Sequence, residues 1–384
     1  MELLLCCART RTGPEMSQRI REAVRKEIDW VEFVRLALHH DTQSLTYRNL
    51  HQICADIVPS GVLQPLRARH EADTKESRLL AKELIAILAF LAAHGICVVP
   101  FKGPALSVRL YGDLSLRGFG DLDIMVCERD VLRARRLLLD RGYAPEWVET
   151  GELSQFLREK HEMLLYRVDG KVRVDLHWRF TSRSACLAGD PDRLLQHLET
   201  ISIEGEEVRS LRLETYLLLL SMHAAKHRWV QLKMICDIAE ILAAPDLDWH
   251  YVLYEADDLG LRRVLGIGLL LAQRLLGATL PPKLAQDVKI DRTAKALAVQ
   301  ACTQFFEEPG ERWGLQGGIT SQLEIRERFR DRTRIFLRYF LHKLKPNELD
   351  RWFLSMPKFL SAAYYLVRPV RLALQRMGRT EHLF

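Results

Sequence analysis

Apolar residues recur at helical spacing from residue 17 to about residue 59, as in Trp30, Phe33, Val34, Ala37 and Leu38, and predict helices there. Pro59, Gly61 and Pro65 break that pattern. A longer helix is predicted from about Lys75, with Leu80, Leu84, Ile87, Leu88 and Leu91 on one face and Gly95 as its C-terminal stop. The period then shortens. Residues 96–101 read as an apolar strand, Lys102-Gly103-Pro104 as a turn into a helix reaching Tyr111, and residues 121–127 as a second strand behind Gly118 and Gly120. Asp130 caps the next helix and Gly142 ends it. Residues 161–168 and 171–178 are strand-like runs joined by Asp169-Gly170, a pair suited to a two-residue hairpin turn because glycine tolerates positive φ. From about Leu211 helical periodicity dominates and strand signals stop. The pattern predicts an α+β chain: a small mixed β-sheet core flanked by N-terminal helices and a larger C-terminal helical region, with no internal repeat. The boundaries it suggests are a helical segment at 1–74, the sheet-bearing core at 75–185, a helical domain at 186–320 and a helical tail at 321–384.

Two of these strands carry acids in phase. In Asp121-Leu122-Asp123-Ile124-Met125-Val126, alternation sends Leu122, Ile124 and Val126 to one face and both carboxylates to the other. In the run VRVDLHW, Val172, Val174 and Leu176 turn toward a core and leave Arg173, Asp175 and His177 on the polar face. If the strands are neighbours, three carboxylates meet. Such a group is self-repelling unless a cation sits within it, and hard oxygen donors suit Mg²⁺ shared with substrate phosphates. Two such ions about 4 Å apart clamp the attacking and leaving oxygens of an in-line displacement, so the expected chemistry is phosphoryl or nucleotidyl transfer. The plain alternative is a solvated ladder in which Asp175 pairs with Arg173.

Composition narrows the setting. The eight cysteines form no CxxC pair or regular framework, so a reducing cytoplasm is the expected compartment. The MELLLCC run is too short for a signal-peptide core, and no stretch supplies eighteen uncharged apolar residues. Met16 opens a cleaner amphipathic helix and is an alternative start, which leaves the status of residues 1–15 open. Net charge is +6, yet from Ser321 onward 14 Lys/Arg face 6 Asp/Glu, a local excess of +8, so the basic character belongs to the tail. Residues 326–379 interleave those charges with Phe329, Phe336, Tyr339, Phe340, Trp352, Phe353, Phe359, Tyr364 and Tyr365. Three readings stay open for the tail: aromatics packed on the domain with charges in water, peripheral contact with anionic lipid at the inner face of the membrane, or nucleic-acid binding. The last is disfavoured, since no RNA-binding motif accompanies it.

The stretches FKGPALSVRLYGDLSLRGFGDLDIMV, VRVDLHW and HAAKHRWVQLKMICDIAEIL, in that order, resemble the uncharacterised nucleotidyltransferase family related to the minimal nucleotidyltransferases. The likeness runs from about Trp30 to about Leu242. It implies a polymerase-β-like core in which Asp121 and Asp123 match the paired metal-binding acids and Asp175 the third. It further implies transfer of a nucleoside monophosphate from an NTP to an acceptor, with two Mg²⁺ ions as cofactors and release of pyrophosphate. The wider superfamily opens its site with Gly-Ser, where this chain has Lys102-Gly103. Lys102, the amides of Gly103 and Ala105 at a helix start, and Arg117 are the candidates to replace that phosphate cradle. Resemblance also suggests a helix beside the nucleotide, with His223, Lys226, His227 and Asp237 facing it.

His223 and His227 lie one turn apart, but HAAKH has Ala224 where a zinc metalloprotease needs its glutamate, so zinc is disfavoured. His161 and His177 are read as cross-strand polar neighbours rather than catalysts. Cys127 and Cys236 are read as small core residues. The expected function is a Mg²⁺-dependent nucleotidyltransferase with an unidentified acceptor. The alternative is a non-catalytic scaffold of the same fold whose basic tail docks on a membrane surface or assembly.

Overall fold

A computed structural model of the protein describes residues 1–146, 156–158, 160–181, 193, 195–280, 291–305, 323–344, 348–354, 356 and 363–371. Helices α1 (Glu2–Cys7), α2 (Pro14–Val24), α3 (Trp30–His39), α4 (Gln43–Cys54) and α5 (Ser60–Ala93) precede the sheet. Proline opens α2 at its first position, where an amide would lack a partner anyway. The Asp29 carboxylate caps α3 by accepting from the Glu32 amide at 3.0 Å.

The break expected around Pro59 is present, since α4 ends at Cys54 and Pro59 caps α5, but Gly61 and Pro65 do not extend it and α5 runs through both. Pro65 sits close enough to the helix start that the carbonyls it leaves unpaired face solvent. Between Leu66 and Leu80 the buried face of α5 carries Asp73 and Ser77 instead of apolar residues, which hides its period. Asp73 is satisfied by Gln43 at 2.9 Å and Arg69 at 2.8 Å.

Strands β1 (Val98–Pro100), β2 (Leu122–Val126), β3 (Tyr143–Pro145), β4 (Glu162–Arg167) and β5 (Arg173–His177) form one sheet in the order 1-2-5-4-3. Only the central β2–β5 pair is parallel; the other pairs are antiparallel, as a mixed sheet requires. Helix α6 (Gly103–Tyr111) links β1 to β2, and α7 (Val131–Asp140) links β2 to β3. The Asp169-Gly170 turn closes β4 onto β5, with Gly170 at φ +70°. One sheet face is apolar. Leu122, Ile124, Val126, Val174 and Leu176 bury there against Leu80, Leu84, Ile87 and Leu91 of α5 and Val131, Ala134 and Leu138 of α7.

A second hairpin, β6 (Leu198–Ile203) with β7 (Glu206–Leu211), lies where no strands were expected. Its turn puts Glu204 at φ +50° and Gly205 at φ +88°. Glutamate is not a turn former, and most of β6 is only part-buried, so the alternation is weak.

Beyond it, α8 (Leu213–Lys226), α9 (Leu232–Leu242), α10 (Trp249–Leu259), α11 (Arg262–Leu276) and α12 (Arg292–Gln304) pack with the N-terminal helices. Leu4, Ile20 and Leu50 share one core with Leu217, Ile235 and Leu265. The first and last helical segments therefore close on each other around the sheet. In the tail, α13 (Phe329–Leu344) and α14 (Glu348–Phe353) divide their side chains. Ile335 is buried, whereas Phe329 is 82% and Trp352 87% exposed. Asp350 is buried between Arg368 at 3.0 Å and Arg371 at 2.6 Å. Phe359, Cys186, the segment beyond 371 and the boundaries expected at 185 and 320 lie outside the described residues. Among the described residues no helix is long and apolar enough to cross a membrane.

Candidate active site

The β2–β5 register aligns Asp123 directly with Asp175 and Leu122 with Val174. Because paired residues share a face, the two acids emerge together on the side of the sheet opposite the apolar core. Asp121 lies in the bend just before β2 and reaches the same site. Arg173 hydrogen-bonds Asp121 and approaches Asp175 through Nε at 3.1 Å and Nη2 at 3.3 Å. The three sequence-derived acids are thus brought together, and the Arg173–Asp175 pair weighed against them is present as well.

Asp123 is 4% and Asp175 8% exposed. Burial works against the charge of Asp123, but the Lys102 ammonium, with Nζ at 3.1 Å, and a hydrogen bond with His177 outweigh it. Its carboxyl is held well below the usual range. Asp175 goes the other way. Burial, followed by the negative charges of Asp121 and Asp123, pushes it up to about 6 against the opposing Arg173. Neighbouring carboxylates with opposed shifts mark a site short of positive charge.

His177, one alternation beyond Asp175, is 3% exposed and places Nε2 at 2.9 Å from Asp123 Oδ1. Among the described residues, ligand atoms of Asp123, Asp175 and His177 lie within 4.8 Å of one another, a set able to hold a metal ion. The sequence reading had set His177 aside as a cross-strand neighbour. The signal that would have found it was its place on the same strand face as Asp175.

Lys102 is the extended residue ahead of α6, and Gly103 then takes φ +58°, turning the chain into the helix. A Cβ at Gly103 would stand 3.2 Å from the Asp121 carbonyl oxygen. The Lys-Gly turn therefore lies against the acidic strand, where a helix start and a lysine can meet an anion.

Arg117 lines the cleft but gives two of its three guanidinium nitrogens to Asp237 of α9, Nε to Oδ1 at 2.8 Å and Nη2 to Oδ2 at 3.0 Å. Tyr111 donates to the same carboxylate at 2.7 Å. This buried cluster ties α6 and the glycine loop to α9, which occupies the guanidinium expected to meet phosphate. The rings of His223 and His227 meet at a tilt of 52° at the end of α8, with centroids 4.6 Å apart. Burial and then Lys102 depress His223 strongly, and burial and then Lys226 lower His227, so both are neutral donors or acceptors at pH 7. His161 is lowered to about 4, chiefly by burial.

These residues line a cleft of about 1390 Å³ that also takes in Lys102, Gly103, Lys226 and Lys233 and, from the tail, Arg338 and Tyr339. That exceeds the roughly 300–1,000 Å³ of common small-ligand pockets and leaves room for two substrates.

Residues 26–277 match the model of a family described as uncharacterised nucleotidyltransferase. A crystal structure of an antigenic nucleotidyltransferase-like protein from Paracoccidioides brasiliensis aligns at 15% identity over 56% of this chain and 93% of that one, with a TM-score of 0.30. No curated protein matches the chain.

Proposed function

Because the chain belongs to the uncharacterised nucleotidyltransferase family, we propose that it transfers a nucleoside monophosphate from an NTP to an acceptor and releases pyrophosphate. The observation that carries this reading is the register that sets Asp123 beside Asp175, with Asp121 reaching in from the preceding bend. The donor set fits divalent cations, since the buried Asp175, whose proton affinity is raised by burial and by Asp121 and Asp123, gains from a positive ion beside it. Asp121, Asp123 and Asp175 would hold Mg²⁺, which when bound neutralises the triphosphate and activates the attacking oxygen.

The remaining work falls to the chain itself. In this reading Lys102 and the start of α6 take phosphate oxygens, which is supported by their sharing the cleft with neutral His223 and the Lys226 ammonium. The acceptor oxygen forms a bond to the α-phosphorus, and the bond to the bridging oxygen breaks. Pyrophosphate leaves with that electron pair, and the acceptor's proton passes to Asp175 or to water. Suitable acceptors are a small molecule, a glycan intermediate, a peptide or a protein side chain.

The test is incubation with each α-³²P-labelled NTP, Mg²⁺ and cell extract. The wild-type chain should label an acceptor in an EDTA-sensitive way, and Asp123→Asn or Asp175→Asn should cut labelling by about a thousandfold or more. Labelling equal to wild type in both variants would refute the assignment.

A second reading is favoured by the exposed aromatics of the tail, Phe329, Phe336 and Trp352, set among arginines. In it the tail holds the chain at an anionic membrane surface, with or without catalysis. Flotation with phosphatidylserine liposomes should then be lost when Phe336 and Trp352 are replaced by Ser, and unchanged flotation would dismiss it.

A further inference from the structure

We infer that His177 is a nitrogen ligand to the metal ion of this site, beside Asp123 and Asp175, and that the centre therefore favours Mn²⁺ over Mg²⁺. This rests on the metal-dependent reading above and goes beyond its three carboxylates. Around an ion with bonds of about 2.1 Å, neighbouring donors stand about 3 Å apart and opposite ones about 4.2 Å. His177 Nε2 and Asp123 Oδ1 are 2.9 Å apart, and donor atoms of all three residues fall within 4.8 Å. The Nε2–Asp123 separation already matches that of neighbouring donors on one ion.

Its far side is arranged for the same task. Nδ1 is buried without a hydrogen-bond partner, yet Glu162 Oε2 lies 3.4 Å away on the adjoining strand. Metal-bound histidines commonly donate their second ring N–H to a carboxylate, which fixes the tautomer and directs the other nitrogen's lone pair at the ion. A shift of a few tenths of an ångström in Glu162 would complete that bond. Phe101 packs edge-on against the ring, with centroids 4.7 Å apart, and supports its orientation toward the acids.

The competing account gives His177 a structural part, donating from Nε2 to hold Asp123. It explains the 2.9 Å contact but gives no part to Nδ1 or to the Glu162 carboxylate 3.4 Å from it. In the ligand account a neutral imidazole adds a donor without adding charge to the carboxylates. It also changes selectivity, because Mg²⁺ is served by oxygen donors while imidazole suits transition ions.

The experiment adds MnCl₂ alone to the full chain and records pulsed EPR. Wild type should show ¹⁴N modulation from a directly bound imidazole. His177→Gln, whose amide can still hydrogen-bond Asp123, should lose that modulation and bind Mn²⁺ at least about tenfold more weakly. Its Mg²⁺ affinity should fall by a smaller factor. Bound Mn²⁺ with no nitrogen coupling in the wild-type chain, or coupling that persists in His177→Gln, overturns the inference. The nucleotidyltransferase reading survives that result if Asp123→Asn still abolishes Mn²⁺ binding and labelling. A wild-type chain that binds no Mn²⁺ defeats both. The wild-type spectrum needs no variant, so a poorly folding substitution does not blunt the test.

Discussion

Asp175 shows how a single residue can be held at odds with the fold that carries it. Its folded-state pKa of about 6 lies above the ordinary aspartate value near 4, so between those values the folded chain binds more protons than the unfolded one. Stability therefore falls as pH rises through that window, and above it the metal-free protein is destabilised by about 3 kcal/mol. Asp175→Asn should remove the penalty: at pH 7.5 without metal the variant should unfold at a higher temperature than wild type, with the difference vanishing near pH 4. A variant no more stable at pH 7.5 than at pH 4, each relative to wild type, would show that Arg173 and the neighbouring strands already neutralise the group. The acids themselves were legible in the sequence because a period of two is a strictly local rule, and Asp121, Asp123 and Asp175 needed only that rule and a shared edge. His177 obeyed the same rule, but its chemistry depends on facing Asp123 on a strand 54 positions away. The partner of Arg117 was hidden for the same reason, since its carboxylate stands 120 residues further on, in α9.

At the scale of elements, the site is held by two devices, a glycine turn and a buried ion pair. Gly103 sits at φ +58°, where a side chain costs about 1–2 kcal/mol, and its Cβ would press on the Asp121 carbonyl. Gly103→Ala should thus lower stability by that amount and shift the α6 start off the acidic strand, so labelling activity should fall by more than tenfold while the fold persists. Circular dichroism and the labelling assay read the two effects separately, and full activity would dissociate the turn from the chemistry. The Arg117–Asp237 pair joins the loop before β2 to α9. Asp237→Ala should cost about 3–5 kcal/mol by stranding a buried guanidinium, and adding Arg117→Met should recover much of it, which urea unfolding measures. No recovery in the double variant would mean that Tyr111, not the charge, is what Asp237 serves. Element prediction succeeded where one face was purely apolar, as in β2 and β5. It failed along α5, where Asp73 and Ser77 interrupt the stripe, and at β6–β7, whose strands are half in water.

At the scale of the molecule, the sheet is clasped by helices from both ends of the sequence. Long-range closure of this kind leaves no local trace, so the sequence suggested separate segments where the structure has a shared core. The matched family segment begins at residue 26, yet α1 and α2 bury Leu3, Leu4, Ile20 and Val24 completely or nearly so. Polar ties reinforce them: the Thr10 amide donates to Glu240 of α9 at 2.8 Å, and the buried Asn49 amide donates to the Cys7 carbonyl at 2.7 Å. Deleting residues 1–25 would expose the apolar walls of α4 and α11 and replace the Asn49–Cys7 hydrogen bond with one to water. Each lost apolar side chain adds about 1.5–3 kcal/mol. Against a total stability of about 5–15 kcal/mol, the shortened chain should melt at least about 10 °C lower or fail to fold cooperatively. A calorimetric midpoint within a degree or two of the full chain would mean that the two helices sit on the core without contributing to it. Substituting Leu4→Ala in the full chain separates the two cases, because a cavity at a load-sharing position costs about 2–5 kcal/mol, whereas truncation of a loosely docked leucine costs almost nothing.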